Sequence, residues 1–188
     1  MLTIQEAFRS LYGAWRLAFM DKNALNFFDT SVAGFWRSFA AAGLIAPFYG
    51  MLMLMRYGFG EISAPLPRYL AVVAIAYVIS WLAFPVAMDP ASQKMNRGGK
   101  FVAFIVAYNW AAVLQSALYL PFAMLSVSGL ISADAAGFFG LVILTVLFAY
   151  SWIIARTVLE VTAAQATGVV ILDFALSFLI NVYSEGMF

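Results

Sequence analysis

Apolar runs about 20 residues long, separated by short polar breaks, dominate the chain, and that is the length a helix needs to cross the hydrocarbon core of a bilayer. The first 20 residues differ. Ile4, Phe8, Leu11, Trp15 and Ala18 share one helical face with Phe19 beside it, while Gln5, Glu6, Arg9 and Arg16 lie mostly elsewhere. This amphipathic helix has two open placements: flat in the membrane interface, with Phe8 and Trp15 as apolar anchors and Arg9 and Arg16 toward anionic headgroups, or packed across the cytoplasmic ends of the later spans.

From Asp29 the pattern changes. Asp29, Thr30 and Ser31 supply N-caps before an apolar run, so a first span is predicted from about Ser31 to Met55. Arg37 sits shallow enough in it to snorkel back to the headgroups. Two glycines with Pro65 and Pro67 mark an irregular loop over residues 57–68, and a charge-free second span follows from about Tyr69 to Met88. The stretch DPASQKMNRGGK reads as a polar connection, because its glycines and bases lack the spacing of a phosphate loop.

A third span, Phe101 to about Leu125, carries alanine at 103, 107 and 111, a ridge that admits a neighbouring helix closely. Asn109 and Ser116 share a face of it with Gln115 adjacent, and Pro121 is expected to kink or end its last turn. A short loop without basic residues leads to a fourth span from about Gly137 to Ala155, beyond which Arg156 and Glu160 are spaced to pair. The fifth span starts between Val158 and Gly168. In it Gln165, Asp173, Ser177 and Asn181 form a polar stripe along an apolar rod, read here as a helix-pairing surface facing the third span. Residues 1–30 thus form an interfacial segment and 31–188 a five-helix bundle, an all-α polytopic membrane domain with no internal repeat.

Composition sharpens this picture. The chain is 65% hydrophobic and 10% charged, with a mean hydropathy of +0.94, well outside the soluble range. Its net charge of +1 gives no reason to expect nucleic acid as a partner. Cysteine and histidine are both absent, which removes disulfides, thiolate chemistry and histidine-based metal or nucleophile sites. No cofactor is expected, and the many aromatic residues read as interface belts more readily than as a pigment or quinone box. The N-terminus lacks the basic region and continuous apolar core of a signal peptide, and no lipidation motif is legible.

Charge position sets orientation. Arg9, Arg16, Lys22, Arg37, Lys94, Arg97, Lys100 and Arg156 fall on the N-terminal side of five spans, against Arg56 and Arg68 on the other. By the positive-inside rule the N-terminus lies in the cytoplasm and the C-terminus outside, in a bacterial cytoplasmic membrane.

Asp173 is the one acid placed deep in a span, and it could pair helices, handle a proton or ion, or meet another subunit. Tyr108, Asn109, Gln115 and Arg156 are the partners within its reach. No second acid, metal motif or acid-base pair stands beside it, which argues against catalysis.

A cytoplasmic amphipathic N-terminus, five closely spaced spans and a very short external tail together resemble the bacterial branch of the Yip (Ypt-interacting protein) family. The acidic-Leu-Tyr-Gly-Pro signature of its eukaryotic members is missing, although Leu11, Tyr12 and Gly13 occur in another context. The resemblance implies a non-catalytic membrane-organising or partner-binding protein, and the expected role is that of an accessory, scaffold or assembly subunit that binds membrane lipids, other integral membrane proteins or a second copy of itself. The alternative is a small transporter or channel subunit using Asp173.

Overall fold

The computed structural model describes residues 2–60 and 62–188, and the described residues contain helices and no strand. Helix α1 (Ile4–Leu17) starts at an N-cap in which the Thr3 hydroxyl accepts from the Glu6 amide. A 3-10 helix, Lys22–Phe27, follows it. Helices α2 (Val32–Ser38) and α3 (Ala40–Gly58) then run on as one apolar rod. The join is tightened: the Ser38 hydroxyl donates to the Phe35 carbonyl at 2.7 Å, and the Phe39 and Ala42 amides reach back three residues instead of four. As expected, Ser31 is the N-cap of α2, accepting from the Gly34 amide at 3.0 Å.

Four more long helices complete the bundle: α4 (Leu66–Lys94), α5 (Phe101–Val127), α6 (Ala133–Leu159) and α7 (Ala163–Glu185). Counting α2 with α3, five helices among the described residues are long and apolar enough to cross a membrane, so this is a multi-pass membrane protein. The irregular loop expected over 57–68 is shorter, because α3 reaches Gly58 and α4 begins at Leu66; its Glu61 lies outside the described residues.

The expected span ends shift around prolines. The second span does not end at Met88, because α4 continues through Pro85 and Pro90 to Lys94 and absorbs half of the expected polar connection. Buried Pro85, Met88 and Ser92 hold that end of the helix against the bundle, and packing there offsets the amide hydrogen bonds that proline cannot make. Pro121, expected to kink or end the last turn of its span, does not end it: α5 runs on to Val127.

Helix α5 is central. Around its first half Phe104, Ile105, Val106, Ala107, Asn109, Trp110 and Ala111 are all buried, beneath α1, α2 and α6. Ala107 and Ala111 of the expected alanine ridge are fully covered, which is what close approach of α1 and α3 requires. Helix α7 packs mainly on α4 and α6.

One core cluster fills the N-terminal half of the bundle, with Ala14, Leu17, Ala24, Phe28, Trp110 and Ile154 among its members. A smaller one, around Leu52, Tyr69 and Leu120, fills the other half.

Of the two placements left open by the sequence, packing on the bundle is observed for helix α1. Its small face, Ser10, Gly13, Ala14 and Leu17, is buried against the bundle, whereas Ile4, Phe8 and Trp15 point away at 79%, 69% and 57% exposure. Close seating requires Gly13, where a Cβ would meet the Phe27 Cβ at 2.9 Å. The bulky stripe read as the anchoring face is therefore the outer face of a helix that is also docked.

Candidate functional site

Polar side chains inside the bundle meet across helix interfaces. Tyr108 of α5 donates to Asp173 Oδ1 of α7 at 2.7 Å. Asn109, fully buried, donates to the Ser38 hydroxyl of α2 at 2.8 Å, and its own Oδ1 has no partner among the described residues. Gln115 of α5 donates to Ser151 of α6 at 3.0 Å. Tyr77 of α4 donates to the Ala42 carbonyl of α3 at 2.7 Å, and Tyr150 of α6 to the Ala14 carbonyl of α1 at 2.6 Å. Each bond ties a different pair of helices, in an environment where an unmatched polar group is costly.

The expected polar stripe of α7 is divided among separate settings. Gln165 belongs to a capping box: its amide oxygen accepts from the Thr162 backbone N–H at 2.9 Å while the Thr162 hydroxyl accepts from the Gln165 amide. Asp173, eleventh of the 23 residues of α7, reaches the third span through Tyr108, not through Asn109. Ser177 lies beside Asp173 in a cleft of about 160 Å³ lined also by Ser80, Trp81, Tyr108 and Ala112. Asn181 is exposed on the bundle surface.

The signal that separates Gln165 from the stripe was in the sequence. Thr162-Ala-Ala-Gln165 before an apolar run is a capping-box pattern, and it fixes the start of α7 and hence the depth of Asp173.

At the N-terminal face, ion pairs bind α1 to the bundle. Arg37 Nε donates to Glu6 Oε1 at 2.8 Å, and its Nη2 pairs with Asp29, so the arginine expected to snorkel to headgroups is paired with two carboxylates of the protein. Hydrogen bonds from Ser31, then the Arg37 charge, hold the Asp29 carboxyl below the ordinary aspartate value. Arg16 pairs with Asp21 and lies over the Tyr12 and Phe27 rings, and Arg9 donates to the Asn26 carbonyl. Both predicted headgroup cations are thus also engaged within the protein.

The expected Arg156–Glu160 pair is replaced by other partners. Arg156 donates to the Val161 carbonyl and sits over the Trp152 ring, while Glu160 pairs with Lys100. The cause is the backbone: Glu160 adopts a left-handed conformation, φ 52°, which ends α6 and redirects its side chain. The Lys100 ammonium holds the Glu160 carboxyl below its ordinary value. Among the described residues no group of three or more acidic side chains is placed to hold a metal ion.

Compared with known proteins, the chain matches no family model, no curated protein and no solved structure.

Proposed function

We propose that this is a non-catalytic integral membrane protein, an accessory, scaffold or assembly subunit of a bacterial cytoplasmic membrane, with its N-terminus on the cytoplasmic side. One observation carries the reading: α1 is locked to the bundle by its small face, by Arg37 and by Tyr150, while Ile4, Phe8 and Trp15 are held outward in fixed register. A rigidly presented aromatic stripe beside a bundle in which Tyr108, Asn109, Gln115, Tyr77 and Tyr150 join its own helices suits docking of another membrane protein. The same non-catalytic, membrane-organising role is what the Yip resemblance implies.

The test is capture in native nanodiscs of the full chain and of a Phe8→Ser, Trp15→Ser double variant, whose changes lie on the exposed face. Companion membrane proteins should be lost from the variant while its thermal midpoint is kept. A clean monomer without companions, or equal companions for both proteins, would sink the reading.

A second reading is favoured by the Asp173 cleft, where one carboxylate and the hydroxyls of Ser80, Ser177 and Tyr108 line a single space near mid-helix. Oxygen donors of this kind suit a proton or a small monovalent cation. Proteoliposome flux that Asp173→Asn abolishes without unfolding the protein would establish this transporter or channel-subunit reading.

A further inference from the structure

We infer that the corner between α6 and α7 holds the phosphate headgroup of an anionic glycerophospholipid. The site rests on the reading above only in that the N-terminal face lies at the cytoplasmic headgroups. Met20, Lys22, Trp152, Ile153, Arg156 and Glu160 line a cleft of about 370 Å³ together with Thr157 and Val161, a volume within the range of small-ligand sites.

Its charge is unbalanced. Among the described residues lining it, Glu160 is the one carboxylate, and that carboxylate already pairs with Lys100. Arg97 donates to the Glu160 carbonyl at 3.1 Å, Lys22 and Arg97 both act electrostatically on the Glu160 carboxyl, and Arg156 shares the cleft. Four cations therefore gather around one acid, and they call for an anionic ligand.

The walls decide its kind. Met20, Ile153 and the Trp152 ring give the cleft an apolar side, and Trp152 carries the Arg156 guanidinium at 5.5 Å from its centroid. The cleft lies where α6 ends and α7 begins, level with the membrane surface for helices of this length. A free phosphate would use only the cations, whereas a phospholipid uses the cations for its headgroup and the apolar wall for the start of its chains. Guanidinium and ammonium groups are the side chains that recognise phosphate.

The experiment follows thermal unfolding of the detergent-solubilised full chain with added short-chain phosphatidylglycerol, short-chain phosphatidylcholine or inorganic phosphate. Phosphatidylglycerol should raise the midpoint saturably, phosphatidylcholine and phosphate should not, and Lys22→Glu and Arg156→Gln should each weaken the apparent affinity by about fivefold or more. Lys22 is exposed on a surface 3-10 turn, so Lys22→Glu serves as the readout if Arg156→Gln folds poorly. Arg68→Gln, at the opposite end of the bundle, should leave the affinity unchanged.

Equal response to phosphate would mean a soluble-anion site, and equal response to phosphatidylcholine a nonspecific lipid effect; either overturns the inference, as does a Lys22→Glu protein that responds like the parent. Companion capture through Phe8 and Trp15 is measured separately and should survive Lys22→Glu, so the two readings fail independently.

Discussion

Arg37 shows what a charge in the first turns of a membrane helix can do when acids are brought to meet it. It joins Glu6 of α1 to Asp29 of the connecting loop, so three segments share one guanidinium. The Asp29 carboxyl is held below 3.8 by hydrogen bonds from Ser31 and by Arg37. Its contribution to stability is therefore complete above that value and is lost as the pH falls through the lower, folded value. The Ser31 amide resonance, which reports the bond to Asp29, should titrate with a midpoint below 3.8, and a midpoint above it would contradict the pairing. Within the bundle, Tyr108→Phe removes the hydroxyl that reaches Asp173 and keeps the ring packed on Phe84. It should cost about 1 kcal/mol in mixed-micelle denaturation, the scale of interhelical hydrogen bonds in membranes; a loss several times larger would mean that Asp173 depends wholly on this donor.

At the scale of elements, the apolar blocks made five spans legible because a bilayer demands length and hydrophobicity from each helix independently of its neighbours. What depends on neighbours was less legible. Helix α4 runs six residues beyond the expected Met88 because buried Ser92 and the packing around it outweigh two prolines. The inward face of α1 is its small residues and not its large ones, since a Cβ at Gly13 would collide with Phe27 and Phe28 at the end of the 3-10 turn that folds beneath it. The stripe on α7 was correct as helical geometry, yet a shared face does not assign a shared partner: one member caps the helix, one meets Tyr108, one lines a cleft and one is exposed. Gly34 gives a direct test of element packing, because a Cβ there would lie 2.0 Å from the Asp29 carbonyl oxygen. Gly34→Ala should destabilise the protein by about 1–3 kcal/mol and loosen the loop carrying Asp29; hydrogen exchange at Ser31 measures the second effect.

Across the whole molecule, the paired basic residues sort to two ends, with Arg37, Arg97, Lys100 and Arg156 at the N-terminal end and Arg56 bonded to Glu185 at the other. Orientation can be read directly because the chain has no cysteine. A Lys22→Cys protein in intact cells should resist an impermeant thiol reagent while an Arg68→Cys protein is labelled; the reverse pattern would place the N-terminus outside. The docking of α1 also has a consequence for biosynthesis. The Ala14 carbonyl accepts its hydrogen bond from Tyr150, 136 residues later in the chain. At ribosomal rates of about 5–20 residues per second, about 7–27 seconds pass between the synthesis of Ala14 and that of its donor, Tyr150. Helix α1 thus emerges well before the surfaces of α5 and α6 that seat it.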